Sequence, residues 1–184
     1  MNGNKKNQNG LTVIELIIIV SVIAIVAVIS IPGSTVVLEN FRLKTTSSQL
    51  SDSLDLALGE AQRRGGTVRV CPSSNARFCR TDGDWNHGWL VFSDGNGDGT
   101  VQEIELIKSF SAPSSHVRIF ATGAVQKSAS LTMSGLVPAN EAEQGEFHVC
   151  LEGLNPRTKV VRIDESGTVE ISRTQSGSGI CSRG

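Results

Sequence analysis

The sequence predicts an α+β protein, with one long N-terminal helix followed by a β-rich head over residues 65–184. Three observations predict it. Residues 11–32 are almost wholly apolar, apolar residues recur at helical spacing up to Arg64, and from Thr67 onward short alternating runs are separated by Gly, Asn, Asp and Ser. The mean hydropathy of −0.03 averages these unlike parts.

Residues 1–10, MNGNKKNQNG, are polar and carry Lys5 and Lys6 with no acid. Leu11–Pro32 follows, LTVIELIIIVSVIAIVAVISIP. A helix of about 21 residues spans roughly 30 Å, the thickness of a bilayer core. Lysines on its N-terminal side place that side in the cytoplasm and the bulk of the chain outside. An ordinary secretory signal is the competing reading. The apolar run is too long for one, and no small-x-small cleavage site follows it.

Glu15 interrupts the run. A carboxylate at a bilayer centre costs on the order of 3 kcal/mol, less near an end, and calls for a cationic partner. No Lys, Arg or His lies among residues 11–40. A new α-amino group, created by a cut just before the apolar segment, would supply one.

Gly10-Leu11-Thr12-Val13-Ile14-Glu15-Leu16 resembles the type IV prepilin processing site: a Gly, the cut, an apolar residue, three more residues and a Glu, then a long apolar stretch. The resemblance implies that a prepilin peptidase cleaves between Gly10 and Leu11 and methylates Leu11. It also implies that Glu15 pairs with a neighbouring subunit's N-terminal amine during filament assembly. The family most often has Phe where this chain has Leu11. Loss of the leader removes two lysines, leaving 17 − 2 = 15 basic residues against 18 acidic, a formal side-chain charge of −3.

After Pro32-Gly33, expected to end or kink the membrane helix, a second helical stretch runs from about Ser34 to Arg64. Leu50, Leu54, Ala57, Leu58 and Ala61 mark its apolar face. Arg63 and Arg64 sit in the last turn, and Gly65-Gly66 stop it. The expected organisation is a leader at 1–10, a transmembrane segment at 11–32, the outer half of a helical spine at 33–64 and the head at 65–184. Seven strands are expected: Thr67–Cys71, Trp89–Ser93, Ile104–Ser109, Val117–Ala121, Glu146–Leu151, Lys159–Ile163 and Thr168–Ser172. The last two form a hairpin around Asp164-Glu165-Ser166-Gly167, with Val161, Ile163, Val169 and Ile171 pointing inward.

The four cysteines, Cys71, Cys79, Cys150 and Cys181, fit disulfides in a head outside the cytoplasm and allow three connectivities. Sequence proximity favours Cys71 with Cys79 and Cys150 with Cys181. The second bridge would also tether the Ser/Gly-rich tail from Thr174. A metal site is the alternative, but there is no C-x-x-C knuckle and no His at ligand spacing.

The head resembles the GspH/FimT group of minor pilins and pseudopilins. Asp84-Trp85-Asn86-His87-Gly88-Trp89-Leu90-Val91-Phe92, the DGNGDG run from Asp94 to Gly99, and Val70-Cys71-Pro72-Ser73 carry the likeness. It implies two β-sheets on the C-terminal half of the helix, and a low-abundance subunit, anchored in the bacterial inner membrane with a periplasmic head, that primes or caps a filament. Its partners would be the prepilin peptidase and other pilins or pseudopilins. A type IV pilus and a type II secretion machine, with an H-type pseudopilin, both remain open.

Asp94, Asn96, Asp98 and Glu105, with Val101 and Gly99, fit the EF-hand pattern, which would make them oxygen ligands for calcium. The flanks WLVF and IELI read as strands, however, so a Gly/Asn/Asp-rich hairpin turn without a cofactor is the preferred reading. Some FimT-like pilins are linked to DNA uptake through a basic Gly-Arg-x-Arg motif. The matching place here is Gly167-Thr168-Val169-Glu170, which lacks both arginines. Arg157, Lys159, Arg162, Arg173 and Arg183 are offset by Glu152, Asp164, Glu165 and Glu170, so nucleic acid is not the expected partner. His87, His116 and His148 are scattered, no nucleophile elbow, phosphate loop or zinc motif is present, and no catalytic residues are assigned.

Overall fold

The computed structural model describes residues 12–132, 134–137, 145–153, 156–174 and 181; the side chains of 28–35 and 174 lie outside that description. Helix α1 is Val13–Arg64, 52 residues. It does not end at Pro32-Gly33, where the sequence leads one to expect an end or a kink. One proline removes one donor, and the remaining ladder of a long helix carries through. At the C-terminus Glu60 holds both Arg63 and Arg64, at 2.5 and 2.7 Å, and Gly65 closes the last turn at φ 64 with its N–H on the Ala61 carbonyl.

The chain divides into two compact units, 1–38 and 39–184. In the first, the described side chains of α1 are exposed and mostly apolar. Among the described residues no helix is long and apolar enough to cross a membrane. Residues 28–32, the end of the apolar run, contribute no described side chains.

The second unit holds residues 39–64 of α1 and two antiparallel sheets. The first sheet has the order β3-β2-β1-β5-β6, from β1 (Val68–Pro72), β2 (Gly88–Ser93), β3 (Leu106–Ser111), β5 (Ala129–Thr132) and β6 (Gly135–Val137). The second has the order β4-β7-β8-β9, from β4 (Val117–Gly123), β7 (Gly145–Leu151), β8 (Arg157–Ile163) and β9 (Val169–Thr174). Leu43, Leu50, Leu54, Ala57 and Ala61 of α1 share one core with Val68, Val70 and Val91 of the first sheet and Ile119, Phe147, Val149, Val161 and Ile163 of the second.

Of the nine strands among the described residues seven were expected, with ends shifted by up to two residues; β5 and β6 were not. They are short, and β6 depends on tertiary contact. Leu136 donates its N–H to the Glu165 carbonyl in the β8–β9 turn. Gly135 has φ 119, and a Cβ there would collide with that same carbonyl oxygen. Gly167, at φ 82, would put a Cβ 2.9 Å from a Leu58 methyl. The expected inward set of the hairpin holds for Val161 and Ile163, which are fully buried. Val169 is half-buried and Ile171 is exposed on the edge strand.

Gly135→Ala combines a left-handed φ with a backbone collision and should lower stability by roughly 2–4 kcal/mol. A thermal melt of the full chain in detergent checks this; an unchanged melt would show that β6 does not lock the two sheets.

Candidate functional site

Gly10 and Leu11 lie outside the described residues. Thr12 opens α1: its hydroxyl accepts the Glu15 N–H at 3.4 Å and its carbonyl the Leu16 N–H at 3.1 Å. Thr12 and Glu15 therefore stand at the N-cap and N3 positions of a capping box, of which this half is formed. The spacing T-x-x-E was legible in the sequence as a cap and was read there only for its charge. The Glu15 carboxylate is exposed and makes no hydrogen bond or ion pair among the described residues.

The central strands of the first sheet, β1 and β2, are buried on both faces. The sheet's helix-facing side joins the main core. On the outer side Cys71, Leu90 and Phe92 form a small core with Cys79 and Val101, which explains the unbroken burial of Gly88–Phe92 in β2. Two loops close this outer core. One is joined by the Cys71–Cys79 disulfide (Cα–Cα 5.5 Å) and the other is the DGNGDG segment.

In that segment each of the four candidate calcium ligands is engaged by protein groups. Asp94, buried, makes a contact ion pair with Arg69 at 2.6 Å and accepts the Gly99 N–H at 3.2 Å. The two charged atoms, Arg69 Nε and Asp94 Oδ2, are buried and close but off the hydrogen-bonding direction. Asp98 binds Thr100, Asn96 and Gln102, and Glu105 accepts the Gln102 N–H. Among the described residues no three His, Cys, Asp or Glu side chains converge to hold a metal. The cation of this loop is the Arg69 guanidinium, 3.4 Å from where a Gly99 Cβ would stand. Sequence spacing missed it because Arg69 belongs to β1, 25 positions before Asp94.

The Asp84–Trp89 segment rivets the sheets together. Asp84 caps a short 3-10 turn, Trp85–His87, by accepting the Asn86 N–H at 3.0 Å. The Asn86 side chain then accepts the Ile119 N–H of β4 at 2.8 Å. Trp85 is fully buried, edge-on to Phe147 with ring centroids 4.8 Å apart, and donates to the Gln126 carbonyl at 3.1 Å. Trp89 stacks on Phe110 at 5.3 Å. The histidines remain separate: His87 is 3.0 Å from Asp84, His116 lies 3.4 Å from Arg42, and buried His148 is 3.3 Å from Glu146.

On the second sheet Cys150 of β7 is bonded to Cys181 (Cα–Cα 5.8 Å), whose sulfur lies 3.2 Å from the Thr158 hydroxyl. Of the basic residues weighed for nucleic acid, Arg162 is paired with Glu146 at 2.5 Å, and Arg183 lies outside the described residues. Gly167–Glu170 is the turn into β9, where Asp164 accepts the Thr168 N–H at 2.8 Å and the Ser166 hydroxyl at 2.6 Å. Those contacts hold the Asp164 carboxyl below its ordinary range.

A family model described as "Type II transport protein GspH" matches residues 46–167, and one for the prokaryotic N-terminal methylation motif matches residues 5–31. No curated protein matches. The type IV minor pilin FimU of Pseudomonas aeruginosa superposes with a TM-score of 0.53 at 18% identity, over 75% of this chain and 96% of its own. The minor pseudopilin EpsH from the type 2 secretion system of Vibrio cholerae superposes with a TM-score of 0.51 at 12% identity, over 72% of this chain and 97% of its own. At those identities the likeness is one of fold.

Two measurements follow from the loops. Closing a longer loop removes more unfolded-chain entropy. Cys150→Ser with Cys181→Ser, across a separation of 31, should therefore cost about 3–4 kcal/mol, and Cys71→Ser with Cys79→Ser, across 8, about 2–3 kcal/mol. Equal melting shifts would favour local packing over chain entropy. The Thr100 hydroxyl and N–H, with Asn96 and Gln102, hold the Asp98 carboxyl below its ordinary range. The stabilisation is complete above the unfolded value, roughly 3.9, and is lost as pH falls through the lower folded value. The Thr100 amide should loosen in hydrogen exchange only below about pH 4; loosening at higher pH would show that Asp98 does not hold the turn.

Proposed function

The chain belongs to the type II transport protein GspH family, and on that premise we propose that it is a minor pilin of a type IV pilus, a structural subunit that primes or caps filament assembly. The family consists of structural, non-enzymatic minor pilins and pseudopilins of type IV pili or type II secretion machines. The N-terminal methylation motif implies processing by prepilin peptidase and anchoring in the inner membrane through the N-terminal helix. The observation that carries the reading is this motif leading directly into a helix that continues under a GspH-type head.

In the proposed mechanism the peptidase cuts between Gly10 and Leu11 and methylates Leu11. The apolar segment waits in the membrane with the head in the periplasm. The Glu15 carboxylate, exposed and unpaired among the described residues, then takes a neighbour's N-terminal amine as the subunit enters the filament. In low dielectric a paired carboxylate replaces one that costs on the order of 3 kcal/mol to leave alone. The two disulfides hold the head in an oxidising compartment.

A type II secretion pseudopilin of the H kind is the second reading, favoured by the description of the family model itself. A DNA-uptake accessory pilin comes third, weakened by the absence of both arginines at Gly167–Glu170.

Surface pili counted in a clean deletion strain should be lost and should return with a plasmid copy. Normal piliation would favour the secretion machine. Glu15→Ala should keep leader cleavage and fail to restore pili; full restoration would overturn the pairing role.

A further inference from the structure

Strands β8 and β9 grade from core to charge along the face they share with α1. Ile163 and Val161 are fully buried in the main core. Their register partners on β9 are Val169, half-buried, and Ile171, 39% exposed. The next pair on that face is Lys159 with Arg173, and Arg157 follows on β8. Arg157 hydrogen-bonds the Asn40 side chain of α1, which brings in Lys44, one turn further along the same helix face. Burial, then Arg173 and Lys44, hold the Lys159 ammonium below its ordinary range.

Among the described residues, none of Lys44, Arg157, Lys159 and Arg173 makes an ion pair with a carboxylate. The acids that offset them in sequence are placed elsewhere. Glu170 is opposite Arg162 on the other face, Glu152 pairs with Arg118 at 3.3 Å, and Asp164 is occupied in the β8–β9 turn. On α1, Glu39 stands over Gly153, its Oε1 3.9 Å from where a Cβ would be. Asp52 and Asp55 come eight and eleven residues after Lys44, about 12 and 16 Å along the helix. With the four cations set aside, the chain has 17 − 4 = 13 basic residues against 18 acidic. The cluster is a positive island on an otherwise acidic chain.

The composition of the patch narrows what it fits. Lys44, Arg157 and Arg173 are exposed, and the two guanidinium groups carry paired donors suited to carboxylates. Ile171 lies beside them on the same face. Arginine next to an apolar side chain at the rim of a core is the composition of a protein interface. A small anion or a lipid headgroup would satisfy the charges and leave Ile171 uncovered. Strand β9 is also an edge of its sheet, where charge alone can keep a stray strand from pairing. Lys44 and Arg157 stand on other elements, so edge protection does not account for them.

We propose that Lys44, Arg157, Lys159 and Arg173, with Ile171, dock a different pilin-type subunit through a carboxylate-rich face of its helix. The contact is made once, between unlike chains, as a priming or capping subunit requires. Cross-strand neighbours such as Lys159 and Arg173 stand about 5 Å apart. Acids one turn apart on a helix are spaced by about 5–6 Å, so two carboxylates on the partner's helix meet that pair together. The inference rests on the reading of the chain as a filament subunit and names the surface and the charges that recognise its neighbour.

The test puts photoreactive p-benzoylphenylalanine in place of Ile171 in the full-length chain, in the cells that normally make it. Irradiation should join it to a different chain that carries its own N-terminal methylation motif, at a peptide holding a pair of Asp or Glu residues. Lys44→Glu with Arg173→Glu should cut the yield of that adduct roughly tenfold. Changing the mapped acids of the partner to Lys should restore it. Rescue also certifies that the reversed chain folds, and Lys44→Arg with Arg173→Lys should keep the adduct. No adduct, an adduct unmoved by charge reversal, or no rescue would overturn the proposal. So would an adduct to a second copy of this chain or to phospholipid, which would assign the patch to self-association or to a lipid surface. Pilus counts in the deletion strain are an independent readout. A rescued adduct with normal piliation would leave the docking standing and remove the pilus reading; lost piliation with a charge-insensitive adduct would do the reverse.

Discussion

Both sheets rest on one face of α1. Leu43, Leu50, Leu54, Ala57 and Ala61 lie under residues of both, in a single core. The two sheets are therefore joined through the helix face that both pack on. The small side chains at Ala57 and Ala61 admit close approach, and Trp85 and Phe147 fill the space between the layers edge to face. The Asn86 side chain, accepting the Ile119 N–H, and the Leu136 N–H, donated to the Glu165 carbonyl, fasten the sheets to each other. Leu136 and Ile119, at the two fastenings, belong to that same core.

The outer side of the first sheet shows a second constraint. A sheet covered by a helix on one face needs a second cover if its other face is apolar, and Leu90 and Phe92 make it so. Here two loops serve in place of a second helix. Loops carry little apolar surface, so each is closed by a strong local link: a disulfide for one, the buried Arg69–Asp94 pair for the other. Removing one partner of such a pair leaves an uncompensated buried charge, which costs far more than the pair contributes. That asymmetry ties the start of the DGNGDG segment to β1 through Asp94.

The helix, its apolar face and seven strands were legible because their signals are local: spacing of 3.6 or 2, and turn residues between. Asp94 to Glu105 was legible as a turn and ambiguous as a calcium loop, since ligand spacing says nothing about a guanidinium from another strand. Strands β5 and β6 escaped because four and three residues carry little periodicity, and β6 takes its place from the Glu165 carbonyl. The charge balance of the β8–β9 hairpin was legible as a count but not as an arrangement. Acids and bases that cancel along the sequence separate once the strand register sends odd and even positions to different faces.

Glu15 too has a local and a longer-range reading. A carboxylate three residues after a threonine is a common helix-start device, and the Thr12 contact shows the device half made. A capping role alone would be served by glutamine, which can also reach back to the N-cap N–H. A role that requires net negative charge in an apolar stretch would not. The two roles are compatible in one residue, because the cap uses the Glu15 backbone N–H while assembly would use its carboxylate. Glutamate and glutamine at position 15 are therefore equivalent for starting the helix and opposite for attracting an amine, and the contrast between them isolates the charge from the fold.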